Sequence, residues 1–384
     1  MKIVLLIRSL ERGGAERQAV MLARGLRDAG VDVCVMVFYG GGAFERDLER
    51  AGIRQVVLGK AGRWDVVAFL QRLVRELRRE RPDVIYGFMG TPNLLTVALR
   101  PLFPGVRMIW GVRSSRISHR DYDWLVRLHA RMEGALAAFP DLVIVNSAAG
   151  ARELSRRGFA SHKVVVVPNG IDSDAYQRDE KGRERVRREW GLEEGATLVG
   201  LVARADPVKA HSLFVRAASA LSERNPRMHF VCVGVGDPTA ASSLRRHADE
   251  LLLTDKMRIE GPRDDVASVY SALDVLVMCS NSEGFPNVVA EAMACGVPCA
   301  VTDVGDAVAI VGDTGASTEP GNVAGLARAV ESIVARLAAE GDTLRSATRE
   351  RIVDRYSIQA LANRTLAALE KIDDGTAKTP RPSN

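Results

Sequence analysis

Short aliphatic and β-branched runs alternate with helix-period stretches along nearly the whole chain, and this alternation limits the fold more than any other feature. The first half carries KIVLLI (2–7), DVCVMVF (32–38), RQVVL (54–58), DVIYGF (83–88), RMIWGV (107–112), LVIVNS (142–147) and KVVVVP (163–168). The second half carries TLVGLV (197–202), HFVCVG (229–234), MRIEG (257–261), VLVMCS (275–280) and PCAVTD (298–303). Runs apolar on both faces suit parallel strands covered by helices on either side, and amphipathic segments such as Ala15–Asp28 and Val66–Glu80 supply those helices. The fold class read from this is α/β with doubly wound parallel sheets.

The alternation is interrupted once. After a turn at Pro168–Gly170 comes a charge-dense stretch ending near Thr197. A chain of 384 residues exceeds one ordinary core. The expected organisation is therefore a first domain over 1–168, a linker over 169–195 and a second domain over 196–354. A terminal amphipathic helix over 355–372, expected to pack back on the first domain, precedes a disordered tail over 373–384. Ligands in open parallel sheets bind beyond the carboxyl ends of the strands, so a cleft shared by two facing domains is expected.

Charge and cysteine usage narrow the class. Residues 1–168 hold 27 Lys and Arg against 16 Asp and Glu, a balance of +11, while the remainder holds 26 against 32. A basic front half favours an anionic partner: a phosphorylated acceptor, an acidic membrane surface or nucleic acid. Solvated arginines on helix faces are the plainer explanation. Nucleic acid fits least, because the basic residues lack interleaved aromatics. The five cysteines (Cys34, Cys232, Cys279, Cys295, Cys299) form no C-x-x-C pair and read as apolar fillers in a reducing, cytoplasmic setting. No apolar run approaches 18 residues, and the N-terminal apolar run is too short for a signal sequence.

The chemistry concentrates in NSEGFPNVVAEAMACGVPCAVTD (281–303). Gly284 permits a tight turn, Pro286 suits the first helical position, and Gly296 ends the helix. Free N–H groups at the helix start make an anion seat. Glu283 stays on the loop and Glu291 falls about one and a half turns into the helix. Two carboxylates flanking an anion seat match a molecule with a diol, a phosphate and a second diol, which describes a sugar nucleotide. Two surface glutamates beside an ordinary helix are the bland alternative.

This stretch resembles the E-x7-E signature of retaining glycosyltransferases of the GT-B fold, in particular glycosyltransferase family 4. GGAER (13–17) resembles the family's glycine loop after the first strand. VPNGID (167–172) resembles the inter-domain segment, GLVARADPVKAHSLFVRAA (200–218) the phosphate-binding segment, VGVGDP (233–238) the following glycine turn, and EGPRDDV (260–266) the base-contacting turn. The resemblance implies two Rossmann-like domains facing across a cleft. It also implies that Glu291 holds the ribose hydroxyls, Glu283 the transferred sugar, and Arg204 with Lys209 the diphosphate. Two cations there stabilise charge developing on the leaving oxygen. Gly13, Gly14, Gly261, Arg263, Gly284, Phe285, Pro286, Asn287 and Val288 complete the expected nucleotide-sugar contacts.

One departure stands out. Where family members often carry a histidine after a front-domain strand, this chain has Arg113, with His119 further on. Arginine does not act as a base, but it can hold an anionic group of donor or acceptor. His129 and His162 are given no special role, and His211 is read as orienting the Lys209 loop. No metal site is expected, since the aspartates of DYD (121–123) suit a helix start. No cofactor beyond the donor is expected either.

The expected activity is metal-independent, retaining transfer of a sugar from a nucleoside diphosphate, UDP by preference, to a glycan or polyprenyl-diphosphate-linked acceptor in cell-surface polysaccharide or glycoconjugate synthesis. Phe285-Pro286-Asn287 resembles members that use N-acetylated sugars. Alternatives are a GDP-mannose-dependent mannosyltransferase, transfer to a soluble natural product, and a UDP-sugar epimerase. A nicotinamide-dependent oxidoreductase is disfavoured by the lack of G-x-G-x-x-G followed by an acid.

Overall fold

The computed structural model describes residues 1–62, 64–113 and 131–373. His119, His129, Asp121–Asp123 and the tail beyond 373 lie outside the described residues. The chain divides into two compact units, Met1–Gly170 with the segment from Ile358 onward, and Ile171–Ser357.

The first unit is built on a seven-stranded parallel sheet in the order β3-β2-β1-β4-β5-β6-β7. Its strands are β1 (Lys2–Ile7), β2 (Asp32–Val37), β3 (Arg54–Val57), β4 (Val84–Phe88), β5 (Arg107–Val112), β6 (Leu142–Val145) and β7 (Val164–Val166). Alternate residues of β1 feed opposite cores, as a pleated strand buried on both faces demands. Ile3, Leu5 and Ile7 pack with Leu22 and Leu26 of the Gly14–Asp28 helix and with Leu361 and Ala362 of the Ile358–Asp373 helix. Val4 and Leu6 pack with Phe69, Leu73 and Leu77 of the Val67–Glu80 helix. Close approach of the first pair of helices requires Gly25: a Cβ there would lie 2.8 Å from the Ile358 carbonyl oxygen and 2.9 Å from Ala362 Cβ.

The second unit carries a six-stranded parallel sheet in the order β10-β9-β8-β11-β12-β13. The strands are β8 (Thr197–Val202), β9 (Met228–Val233), β10 (Met257–Glu260), β11 (Val275–Met278), β12 (Cys299–Thr302) and β13 (Ala316–Thr318). The three-residue β13 edge, Ala-Ser-Thr, has no apolar run to announce it. On one face Leu276, Met278, Cys299 and Val301 meet Val289 and Met293 of the Asn287–Ala294 helix. The opposite face packs Val199, Leu201 and Phe230 against Phe214 and Val330.

Of the segment 169–195, expected as a linker, residues 171–195 are folded into this unit. Asp179 caps a Glu180–Glu189 helix by accepting from Gly182 N at 2.9 Å, and that helix packs on the Val266–Ala272 helix. Its arginines account for the charge density. Arg183 donates to the Ser271 and Ala272 carbonyls at 2.9 and 3.0 Å and to Asp274 at 2.8 Å, and Arg187 reaches Asp274 at 3.3 Å. These contacts satisfy carbonyls left open at a helix end.

The terminal helix starts at Ile358, not at residue 355, because Asp342–Tyr356 forms a separate helix of the second unit. At the point where the chain leaves the first unit, the buried Gln18 amide holds Gly170 on both sides. It donates to the Gly170 carbonyl at 2.7 Å and accepts from Gly170 N at 2.8 Å. Just beyond, Ile171 N donates to the Tyr356 carbonyl at 2.7 Å.

All five cysteines are buried and unlinked, and burial pushes the Cys34 and Cys279 thiols up to about 12. Among the described residues no helix is long and apolar enough to cross a membrane.

Candidate active site

The carboxyl ends of β8 and β11, adjacent strands in the second sheet, carry the two loops that matter. After β8 the chain runs through Ala203 and Arg204. Gly234, at φ +100 after β9, packs so close that a Cβ would lie 2.8 Å from the Ala203 carbonyl oxygen. Asp206 then accepts from Val208 N at 2.9 Å and caps a single 3-10 turn, Pro207–Lys209. Ala210 takes the left-handed conformation at φ 50, a strained value for a residue with a side chain, and turns the chain into the His211–Arg224 helix. His211 is buried and bonded to the Ala203 carbonyl. Burial holds its imidazole below the ordinary range, with the carbonyl pulling the other way.

The loop after β11 faces this one. Asn281 N donates to the Val208 carbonyl at 2.8 Å, stitching the two loops together. Glu283 Oε1 accepts from Lys209 Nζ at 2.6 Å and from Ser280 Oγ at 2.7 Å. Beneath, the buried Thr302 hydroxyl donates to the Ser280 carbonyl at 2.7 Å. Asp306 N donates to the Gly284 carbonyl at 2.9 Å. Gly305, at φ +63, lies directly against the loop: a Cβ would sit 2.4 Å from Gly284 O and 2.6 Å from Glu283 O. Phe285 anchors the loop by an edge contact with Tyr356, ring centres 5.4 Å apart.

The helix that follows is Asn287–Ala294, with Pro286 as its N-cap, a residue that makes no side-chain cap bond. Its N-terminal dipole favours an anionic group nearby. Val288 is half-buried, and Glu291 is only 5% exposed. Tyr270 donates its hydroxyl to Glu291 Oε2 at 2.9 Å. Burial, with the neighbouring carboxylate second, pushes the Tyr270 hydroxyl well above its ordinary value, so it stays protonated and remains a donor.

Arg204 is exposed, and no carboxylate pairs with it among the described residues. Arg263 differs. Its guanidinium bonds Asp265 twice at 2.8 Å and Glu189 at 2.6 and 3.1 Å, and it lies over Trp190. Those bonds raise Arg263 and hold Asp265 well below the usual carboxylate range. Gly261, at the end of β10, has open space where a Cβ would be.

In the first unit, Gly13 is the N-cap of the Gly14–Asp28 helix, in extended conformation, and Gly14 is exposed. Arg113 follows β5. It donates to Asn169 Oδ1 at 2.7 Å and lies 5.1 Å from the Phe88 ring centre, with the buried Tyr86 hydroxyl beside it. Nearby Met89, at φ 64, leads into the Gly90–Leu99 helix.

Two family profiles match this chain, "Glycosyltransferase Family 4" over residues 12–175 and "Glycosyl transferases group 1" over residues 196–336. The chain thus carries a family 4 glycosyltransferase domain in its first half and a group 1 glycosyl transferase domain in its second. Among relatives of this chain, the 2-deoxystreptamine glucosyltransferase of Streptomyces kanamyceticus is 32% identical over 220 residues, 56% of each chain. The D-inositol 3-phosphate glycosyltransferase of Thermomonospora curvata is 34% identical over 187 residues, 45% of this chain and 43% of that one. The matches thus span about half the length of these curated relatives. The solved structure of Anabaena Alr3699/HepE in complex with UDP superimposes with a TM-score of 0.82 at 22% identity, covering 97% of this chain and all of that one. The same protein in complex with UDP-glucose gives 0.79 at 23% identity, with 97% and 100% coverage. The two parallel-sheet units have the GT-B fold.

Of the residues singled out in the sequence, Lys209 and Glu283 are in direct contact, and Glu283 through Glu291 form one loop and helix. Gly13, Gly14 and Arg113 stand in the other unit. Sequence reasoning missed Ser280, Thr302, Gly305, Tyr270 and Asn169. Gly305 alone had a signal, a glycine shortly after a strand end; the others become partners only through tertiary contact.

Proposed function

We propose that this protein is a retaining, metal-independent glycosyltransferase that takes a sugar from a UDP-linked donor and passes it to a glycan or polyprenyl-diphosphate-linked acceptor. The carrying observation is the Lys209–Glu283 contact at 2.6 Å, set beside an exposed Arg204 with no carboxylate partner among the described residues and the N-terminus of the Asn287–Ala294 helix. An ammonium has three N–H groups, so Lys209 can hold Glu283 and still donate to a phosphate. Arg204 adds a forked donor, and the helix N-terminus a third positive element. Together they neutralise the charge that grows on the β-phosphate as the sugar leaves. Glu283 orients hydroxyls of the transferred sugar. Glu291, fixed by Tyr270, receives the ribose diol, and the Gly261 turn lies beside the base, with Arg263 bracing that turn through Asp265.

Retention follows if the acceptor hydroxyl attacks the anomeric carbon from the face the phosphate departs. The new C–O bond forms, the old one breaks, and the hydroxyl proton passes to the leaving β-phosphate oxygen. No protein nucleophile is required. Gly13 and Gly14 offer backbone N–H groups to donor or acceptor, and Arg113 holds an anionic group of either.

UDP is favoured because a close fold neighbour is described with UDP and UDP-glucose. N-acetylhexosamine donors are the first sugars to test, on the Phe285-Pro286-Asn287 resemblance. A cytoplasmic site at the inner membrane face suits the basic front half and a lipid-linked acceptor. Transfer to a soluble natural product is the second reading, favoured by the 2-deoxystreptamine relative. Thermal-shift and calorimetric titration with UDP, GDP and their sugars test the donor. Stabilisation by UDP species, lost in Arg204→Ala and Lys209→Ala, is expected, and stabilisation by GDP-mannose alone would overturn the UDP reading.

A further inference from the structure

The Val67–Glu80 helix has two apolar stripes, one wholly buried and one that the first unit covers only in part. Phe69, Leu73 and Leu77 point into the core at the i, i+4, i+8 spacing, and Glu80 is buried against Lys2 at 2.7 Å and Arg54 at 2.8 Å. In the second stripe Leu70 and Val74 pack against the core along one side and stay partly open on the other. Val67, 70% exposed, with Leu70 and Val74, floors a groove of about 850 Å³. Just before the helix stands Trp64, 89% exposed, with exposed Val66 beside it. An indole so exposed is unusual on a folded surface, and standing three residues before Val67 of the groove it marks a contact surface.

The rim of the groove is cationic. Arg75, Arg78, Arg79 and Arg81 line it. Arg75 and Arg79 share one carboxylate, Glu76, at 3.1 and 3.0 Å, while Arg78 and Arg81 have no carboxylate partner among the described residues. Four guanidinium groups against one carboxylate leave an excess of three positive charges around an aliphatic floor. A soluble polyanion would use the arginines and leave Trp64 and Val67 in water. A bilayer rich in anionic phospholipid uses both, phosphates on the arginines and the acyl boundary on the indole and aliphatic side chains.

We propose that the outer face of the 64–81 segment docks the protein on an anionic phospholipid membrane. This rests on the lipid-linked acceptor reading above for its purpose, but its surface is separate from the donor groups of the second unit. The segment has the two ingredients interfacial binding needs, buried apolar area and electrostatic attraction to anionic headgroups. Its helix is already formed and held by the core stripe, so no ordering cost is added on contact.

The test is flotation of the full chain with vesicles of phosphatidylcholine alone or mixed with phosphatidylglycerol, at about 0.1 M salt, where surface charges still reach about 10 Å. Binding is expected only to the mixed vesicles. Arg78→Gln with Arg81→Gln should weaken partitioning roughly 30-fold, at about fivefold for each basic residue near the surface. A blue shift of tryptophan emission on the same vesicles should vanish in Trp64→Phe. Equal binding to both vesicle types, binding unchanged in the arginine pair, or capture by polyphosphate beads with none by vesicles would each overturn the proposal. Calorimetry with UDP on the same proteins separates the two readings: no vesicle binding by the wild type with UDP affinity intact sinks docking alone, and vesicle binding without UDP binding sinks the donor reading alone.

Discussion

Gly305 contributes no side chain, yet it fixes the position of a carboxylate. In Gly305→Ala the new methyl would lie 2.4 Å from the Gly284 carbonyl oxygen and 2.6 Å from that of Glu283. Restoring an ordinary C···O separation of about 3.3 Å moves that loop by about 0.9 Å. The contact it carries, Lys209 to Glu283 at 2.6 Å, cannot absorb such a shift and remain a strong charge-assisted bond. Misplacement of about 1 Å costs roughly 100-fold in rate, about 2.7 kcal/mol of transition-state stabilisation. The left-handed φ of +63 adds about 1–2 kcal/mol of folding cost for alanine, a fall of several degrees in Tm for a unit of this size. Gly321 supplies the control: its φ is +79, and nothing lies within 4 Å of where an added methyl would stand. Gly321→Ala should lower Tm comparably and leave kcat/KM alone. Steady-state kinetics with UDP-sugar and scanning calorimetry on both variants decide the matter. If Gly305→Ala keeps kcat/KM within about threefold of Gly321→Ala, against the roughly 100-fold loss expected, the loop is not held by that approach.

Three further outcomes follow from the same contacts. Glu291→Gln keeps a carbonyl acceptor for Tyr270, so Tm should stay within about 2 °C while UDP affinity falls roughly tenfold; Glu291→Ala, leaving the buried Tyr270 hydroxyl without that acceptor, should lose about 1–3 kcal/mol of stability as well, and unchanged UDP affinity in both by calorimetry would remove Glu291 from the site. Arg263→Ala should lower Tm, because two carboxylates lose their shared cation, and change UDP affinity less than threefold; a tenfold affinity loss at constant Tm would instead place the guanidinium on the base. His211 is held below its ordinary range by burial, so the unfolded chain takes up its proton first as pH falls. Stability should therefore be level above about pH 7 and drop as pH falls below about 6.5, the unfolded value, and His211→Gln should flatten that part of the denaturation profile.

Much of the architecture could be read from the chain because parallel strands buried on both faces write themselves as unbroken aliphatic runs. β13 escaped for the opposite reason: Ala316, Ser317 and Thr318 sit at a sheet edge and need no apolar pattern. The 169–195 segment was misread because its polarity resembles solvation, whereas Arg183 and Arg187 direct their donors to Asp274 and to carbonyls about 90 residues away in sequence. Within the candidate site, Glu283 and Glu291 were singled out by residue type and spacing and Lys209 by the family resemblance, and the fold puts Lys209 against Glu283. Tyr270 and Thr302 were not, since a buried hydroxyl is assigned a partner only when tertiary packing brings one. Arg263 was singled out by the resemblance of its turn, and its two carboxylate partners, Asp265 and Glu189, are visible only in the fold.

The helix Ile358–Asp373 completes the core that begins at Lys2, with Gly25 and Ala362 in contact across more than three hundred residues of chain. During translation the first-made half therefore waits. Its sheet can pair early, but one flank of the Gly14–Asp28 helix stays uncovered until the final helix leaves the ribosome, roughly 10–40 s after Gly170 at about 5–20 residues per second. The later-encoded unit, Ile171–Ser357, is self-contained and can close first. Biogenesis thus reverses the gene order, and the interval in which Leu22 and Leu26 lack their cover is the one in which a nascent chain of this protein most needs a chaperone.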